Sequence, residues 1–391
     1  MLNLTSRVKP GWLALKSVLD SPCRAVPRKG VVGVCQRRVW SSMRLKRSNL
    51  RKRLVFLGTT SFLGTLLIYS VWPWLPFPNR ELAPRTIVFF GFSILVEAMN
   101  KSVFPAFQEQ WRERTGEEVE FISSFGGSGT IRNQMVMGVP AVVALLSLEL
   151  DAQKLAEAGV IRDESWHKLP EQGVVNRTPF VILVRSGNPL GIRDFADLAK
   201  PGVKIVHPDP LTSGGANWAI VAEYGAGLRQ GEGDPASGRK LLEGIWRNVT
   251  AQAASARAAR TQFENGFGDA LITYEQELLA DKARGSLEGE IIYPKRTIES
   301  EHTLVIVDRN IQPQERELVQ AFVDFLWSEQ AQRLFVEHGF RSVHEPLNSG
   351  NPDFGAIPDL FSIKDFGGWK RAKHEIVDDL WKAQILEGLE R

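Results

Sequence analysis

The stretches GGSGT (residues 126–130) and TSGGA (residues 212–216) each stand between an extended segment and an amphipathic run. A glycine-rich turn at a helix start leaves several backbone N–H groups unpaired, and the helix dipole adds partial positive charge there. Such a turn can hold a small anion. The two turns lie 85 residues apart, counted from Ser128 to Ser213. Together they predict an anion-binding cleft with one turn on each side.

The residue types in the two turns limit the kinds of anion site that they could form. A single glycine turn is often ordinary turn structure, and no Gly-Lys-Ser or Gly-Lys-Thr follows that would make a P-loop. A nucleophile elbow is incomplete, because Thr130 replaces its last glycine. Hydroxyls and amides donate, which suits a fully ionised dianion. The alternative is a hydrolase with Ser128 or Ser213 as nucleophile, for which His207 is the nearest candidate base along the chain.

Charge is distributed unevenly along the 391 residues. Residues 1–53 contain 14 Lys or Arg and one acid, which gives +13, and the remaining 34 basic and 44 acidic residues give −10. An acidic main domain argues against nucleic-acid binding. Both cysteines, Cys23 and Cys35, lie in the basic leader, and the six histidines show no metal-ligand spacing. We therefore expect no metal and no cofactor.

The N-terminal region predicts a membrane segment. Residues 1–53 are predicted to be a basic, disordered leader, and residues 54–72 carry no charge over 19 residues, about 28 Å of helix. They are predicted to form a transmembrane anchor or signal helix, with an uncleaved anchor favoured and the following chain outside the cytoplasm. Residues 73–84 are predicted to be a proline-rich tether. Met43 opens a conventional leader, and we hypothesise that translation begins there.

From residue 85 onward, apolar strand patterns alternate with amphipathic helical patterns. This alternation predicts an α/β fold with sheets covered by helices on both faces. The predicted strands are 86–90, 119–122, 142–146, 180–184, 203–206, 270–274 and 302–307, and the predicted helices are 102–115, 131–138, 152–158, 217–228 and 316–338. Both glycine turns follow a strand, where ligands bind in such folds.

Six motifs in fixed order extend beyond the two turns. They are FGGSG (125–129), RSGNP (185–189), KPGV (200–203), PDPLTSGGANW (208–218), GDALI (268–272) and FGGW (366–369). Together they resemble the periplasmic sulfate-binding proteins, the substrate-capturing subunits of sulfate/thiosulfate ABC importers. The resemblance covers residues 85–391. It implies a two-lobed binding domain of the type II periplasmic-binding-protein kind, with lobe I formed by 85–178 and 276–391 and lobe II by 179–275.

The resemblance also implies a function. The protein is expected to capture sulfate or thiosulfate outside the cytoplasm as a monomer and to deliver it to an ABC permease, without catalysis. The lobes are expected to close by a hinge at strands 179–184 and 270–274. A receptor for molybdate, phosphate or another tetrahedral oxyanion is the alternative within the same class. A sensor ectodomain is disfavoured, because the only predicted cytoplasmic segment is short and basic.

Ligand contacts are implied at the positions that match the family's motif. They are Ser128 (hydroxyl and amide), Ser213 (hydroxyl), Gly214, Gly215 and Ala256 (amides).

Two positions depart from the family's pattern. Ser93 stands where the family usually has an aspartate that contributes its amide. Tyr274 takes the place of an indole donor, and its hydroxyl can accept as well as donate. Tyr274 could therefore serve a protonated ligand such as monohydrogen phosphate, or it could simply fill space at a strand end. Arg257 and Arg260 flank the site, where they could bridge the lobes or enter the cleft.

Overall fold

The computed structural model describes residues 44–71 and 84–389, with side chains described from residue 55. Contacts divide the chain into two units, residues 1–80 and 81–391. The described part of the first unit is one helix, α1 (Arg44–Val71). Residues 44–53, predicted as disordered leader, are therefore helical, because Leu, Lys and Arg are good helix formers. The rest of the predicted leader and nearly all of the tether lie outside the described residues.

The structure does not support the membrane helix predicted over residues 54–72. Within residues 44–71 and 84–389, no helix is long and apolar enough to cross a membrane. The predicted segment is only moderately apolar, because two glycines, three threonines and a serine interrupt it between residues 58 and 65.

The second unit alternates strands and helices as predicted. Its strands are β1 (Arg85–Phe92), β2 (Val119–Gly126), β3 (Val143–Leu146), β4 (Val174–Val184), β5 (Ile205–Pro208), β6 (Val249–Ala253), β7 (Ala270–Tyr274), β8 (Glu290–Ile292), β9 (Arg296–Ile306), β10 (Arg341–Ser342) and β11 (Asp359–Phe361). Its helices are α2 (Phe104–Thr115), which continues from the helical Val96–Ala98 and the π-helical Met99–Val103, α3 (Ser128–Val136), α4 (Glu149–Glu157), α5 (Phe195–Leu198), α6 (Gly214–Gln230), α7 (Pro235–Trp246), α8 (Ala256–Glu264), α9 (Glu275–Arg284), α10 (Arg316–Leu326), α11 (Glu329–Glu337), and α12 (Trp369–Ala372), which continues through the π-helical Lys373–Leu386 to Glu387–Leu389.

The strands follow one hydrogen-bonded order, β2-β1-β3-β9-β4-β7-β5-β6, with β8 and β10 on β4 and β11 on β9. The pairs β1–β2, β1–β3, β5–β6 and β5–β7 are parallel. Near the middle, β9 and β4 are antiparallel to their neighbours in this order. The carboxyl ends of β2 and β5 lead into the two glycine turns, so the predicted placement of these turns is confirmed.

Strand β4 joins two parts of the strand order, β2-β1-β3-β9 on one side and β7-β5-β6 on the other. It pairs with β9 as far as Pro179 opposite Glu299, and from Phe180 onward it pairs with β7. The change of partner therefore falls at the start of the predicted hinge strand 179–184. The hinge motion itself stays a prediction.

The helix predicted over residues 316–338 is interrupted. Helix α10 ends at Leu326 and α11 begins at Glu329. Between them Ser328 has extended backbone, and its side chain accepts a hydrogen bond from the Ala331 N–H. This serine cap stops the first helix and starts the second, because a cap residue cannot continue the helical backbone.

The C-terminal helical run packs against α6 and α7, although the sequence placed it in lobe I and those helices in lobe II. Trp369 meets Trp218 edge-on with ring centroids 4.4 Å apart, and Trp381 meets Trp246 at 4.7 Å. Such pairs stabilise the packing because the rings bury a large apolar area and because the edge-to-face arrangement is itself favourable. The predicted lobe boundaries stay a prediction.

Buried His302 in β9 should make stability depend on pH. Burial lowers its pKa to about 3, whereas an unfolded histidine titrates near 6.5. As the pH falls, the unfolded state therefore binds a proton at His302 before the folded state does. The free energy of unfolding is then unaffected by titration of His302 above about pH 6.5, and it decreases by about 1.4 kcal/mol per pH unit as the pH drops towards 3. We expect urea unfolding of His302→Gln to depend less on pH over this range than that of the wild type.

Exposed His374 supplies the matched control, because its side chain is 75% exposed. The same measurement on His374→Gln shows how far removal of an exposed histidine alone changes the pH dependence. An unchanged pH dependence in His302→Gln would contradict the assignment of this effect to His302.

Candidate functional site

The first glycine turn carries the chain directly from β2 into α3. Gly127 is the cap residue with extended backbone, and Ser128 is the first residue of the helix. The first-turn N–H groups of α3 have no acceptor inside the helix. One of them, on Gly129, donates instead to the Thr212 carbonyl at 3.1 Å, which belongs to the second glycine turn.

The second turn is shaped by Asp209. Its carbonyl accepts from the Ser213 N–H at 2.8 Å and from the Thr212 N–H at 3.2 Å, and its carboxylate accepts from the Leu211 N–H at 2.8 Å. Ser213 then occupies the N-cap position of α6, whose first residues are Gly214 and Gly215. The sequence therefore builds this helix start from a compact turn rather than from a flexible loop.

A third helix start lies beside the second turn. Ser255 caps α8 by accepting a hydrogen bond from the Ala258 N–H at 3.1 Å, and Ala256 is the first helical residue. The Thr212 hydroxyl donates to the Ala254 carbonyl at 3.0 Å. The starts of α3, α6 and α8 are thus joined through hydrogen bonds, and their dipoles place partial positive charge in one region.

Close approach of the two turns requires glycine at position 127. A Cβ built there would lie 2.4 Å from the Thr212 carbonyl oxygen and 2.6 Å from that of Ala254. Both neighbours are backbone atoms, so a side chain at this position would push the helix starts apart.

Ser213 differs from the other two serine caps described above. Its side chain makes no capping hydrogen bond, whereas the Ser255 and Ser328 side chains do. The residue is only 3% exposed. Its hydroxyl therefore belongs to a buried residue and is free of the ordinary capping role.

The Ser128 hydroxyl is engaged within the protein. It donates to Asp151 Oδ2 at 2.6 Å and accepts from the Ser147 N–H at 3.0 Å. Asp151 is itself paired with Arg132 at 2.7 Å. This arrangement conflicts with the predicted hydroxyl donation from Ser128 to a ligand and leaves its amide as the candidate donor.

Tyr274 is buried at the end of β7. Its hydroxyl lies 2.8 Å from Ser147 Oγ, and either oxygen can donate. Burial raises the pKa of the Tyr274 phenol well above its usual value, so the group stays a neutral hydroxyl. Ser93 is 9% exposed in a short turn that contacts β2 and α8. The structure thus brings Ser93 close to the helix that begins at Ala256.

The two candidate arginines are occupied by carboxylates. Arg257 Nε lies 3.2 Å from Glu277 Oε1, and Arg260 lies 2.9 Å from Asp281. Glu97, which follows β1, lies 3.6 Å from Arg257. Within the described contacts both arginines form ion pairs. The lobe-bridging role considered from the sequence stays a prediction.

Sequence reasoning missed three side chains of this site. Ser147 lies between Ser128 and Tyr274, Asp151 accepts from Ser128, and the Trp218 indole donates to the Ser147 carbonyl at 2.7 Å. Ser147 follows β3 directly, so the rule that ligands bind at carboxyl ends of strands could have found it. Nothing in the local sequence indicates the other two contacts.

The histidine required by the hydrolase alternative is not available. His207 is fully buried, with Nδ1 2.6 Å from the Pro208 carbonyl and Nε2 3.1 Å from Glu223. Both ring nitrogens therefore have partners other than Ser213. Across residues 44–71 and 84–389, no group of three or more His, Cys, Asp or Glu could hold a metal ion.

Fold and site together define an α/β binding protein of the two-lobed periplasmic kind. The family model for "Bacterial extracellular solute-binding protein" matches residues 93–341. The chain belongs to this family.

Individual relatives and a solved structure agree with this assignment. The sulfate-binding protein of Synechococcus elongatus is 33% identical over 302 residues, or 76% of this chain and 85% of the relative. The thiosulfate-binding protein of Pseudomonas aeruginosa is 30% identical over 277 residues, or 69% and 82%. The structure of the sulfate-binding protein SubI from Mycobacterium tuberculosis matches with a TM-score of 0.68 and 30% identity, covering 75% of this chain and all of that one. The named relatives are binding proteins rather than enzymes.

The close approach at Gly127 can be tested by substitution. Gly127→Ala should lower the free energy of unfolding by about 1–3 kcal/mol, because the added methyl group meets two backbone carbonyls. Gly126→Ala is the matched control, since its methyl group would meet only the Ile131 side chain at 3.7 Å, and we expect a change below about 0.5 kcal/mol. Urea unfolding measures the change in the free energy of unfolding for each variant. Equal effects of the two substitutions would contradict the packing constraint.

Proposed function

We propose that this protein captures sulfate or thiosulfate outside the cytoplasm and delivers it to an ABC permease, without catalysis. The names of the relatives support the ligand class, and the name of the family supports binding of a solute outside the cell. The observation that carries the proposal is the Ser213 hydroxyl, which makes no capping hydrogen bond and lies where three helix starts meet.

The proposed site holds the anion with neutral donors. The Ser213 hydroxyl and the amides of Gly214, Gly215 and Ala256 would donate to its oxygens. The Ser128 amide, the Ser93 amide and the Tyr274 hydroxyl complete the proposed set. Oriented dipoles in a closed, water-excluded cleft stabilise an anion more strongly than the same groups do in water.

Closure would bring the two sides of the site together. Strand β4 runs from one part of the sheet order to the other, so a bend near Pro179 would change the spacing between the first turn and the second. A permease could then distinguish closed, loaded protein from open, empty protein, as in other two-lobed receptors. The monomeric state stays a prediction.

The proposal is tested by calorimetry on the full chain after exhaustive dialysis. Sulfate and thiosulfate should bind with a dissociation constant that is nearly independent of pH between 5 and 8, because both are fully ionised there. Ser213→Ala should weaken sulfate binding about tenfold or more, since a hydrogen bond to a charged group is lost.

Ser328→Ala is the control for this variant, because it removes the hydroxyl of a serine at another helix start, away from the two turns. It should reduce stability by about 1 kcal/mol and leave sulfate affinity unchanged. Molybdate and phosphate, titrated in parallel, address the alternative ligands. If none of the four anions binds, the proposed function is wrong.

A further inference from the structure

Ser147 occupies the centre of the candidate site. It follows β3 and is 1% exposed. Its N–H donates to the Ser128 hydroxyl at 3.0 Å, and its carbonyl accepts from the Trp218 indole at 2.7 Å. The backbone of Ser147 is thus fixed from both turns, and its hydroxyl is left for other partners.

That hydroxyl is paired with Tyr274 beside the start of α6. The two oxygens are 2.8 Å apart. A Cβ at Gly214 would lie 2.7 Å from Ser147 Oγ, and one at Gly215 would lie 2.9 Å from the Tyr274 hydroxyl. The pair therefore packs directly against the two residues whose amides belong to the proposed anion site.

Two paired hydroxyls offer chemistry that backbone amides lack. One of their two protons forms the bond between them, so one O–H and unused accepting lone pairs remain side by side. Their spacing resembles that of two oxygens on one tetrahedral anion. A fully ionised anion can use only the remaining O–H, whereas an anion with one protonated oxygen can use both groups.

We propose that Ser147 is a further ligand-binding residue that, together with Tyr274, lets the site accept a monoprotonated tetrahedral oxyanion as well as a fully ionised one. This inference rests on the proposed function. The Ser128 hydroxyl supports it, because its proton goes to Asp151 and only a lone pair remains for any further partner. The ligand class therefore includes anions of the hydrogen phosphate kind.

The test compares inorganic phosphate with sulfate at pH 8, where phosphate is mainly the monoprotonated dianion. Calorimetry on the full chain uses the wild type, Ser147→Ala, Tyr274→Phe and the double variant. We expect the wild type to bind both anions. Each single variant should shift the ratio of phosphate to sulfate affinity about tenfold against phosphate. The double variant should shift it no further, because either change removes the pair.

A loss of structure would weaken binding of both anions together, whereas loss of the pair changes their ratio. Tyr274→Phe keeps the buried ring and removes one oxygen, so it tests the proposal even if Ser147→Ala folds poorly. Tyr224→Phe on α6 is the control and should leave the ratio unchanged.

The outcomes separate this inference from the proposed function. Binding of sulfate without phosphate overturns the inference and leaves the proposed function intact. An unchanged ratio in both single variants also overturns it. Absence of binding to sulfate, thiosulfate and phosphate alike shows that the proposed function itself is wrong.

Discussion

The contact between the two glycine turns is the constraint on which the candidate site depends. Gly127 lies against the carbonyl oxygens of Thr212 and Ala254 at distances that no side chain would allow. This contact brings three helix starts to one place, although they are far apart in sequence. The site needs no bound metal to concentrate positive potential, because backbone dipoles supply it.

The charged groups around the site are arranged to neutralise one another. Arg257 and Arg260 face Glu277 and Asp281, and Glu277 is fully buried. Burial raises the pKa of the Glu277 carboxyl, while the two arginines oppose that shift. Since these arginines have carboxylate partners, the candidate site has hydroxyls and amides as its main donors. Donor orientation, rather than net charge, is then what distinguishes one anion from another.

The sequence predicted those features that depend on local chemistry. Glycine turns, strand periodicity and motif order are local, and they correctly placed the turns of Ser128 and Ser213 at the ends of strands. The Ser128–Asp151 bond and the Ser147–Tyr274 pair depend on packing between distant segments, so no local pattern indicates them. The break in the helix at Ser328 does have a local signal in the sequence, since serine is a common helix cap, but the predicted helix ran through it. The helix over residues 44–53 was missed because charge was given more weight than helix propensity.

Helix α6 connects the site to the end of the chain. Its residue Trp218 donates to Ser147 at the site and packs against Trp369 in the C-terminal helical run. A single indole, that of Trp218, therefore links the C-terminal helical run to the backbone of Ser147. A change in packing at Trp369 would reach the candidate site through this side chain, although Trp369 itself lies outside the two glycine turns.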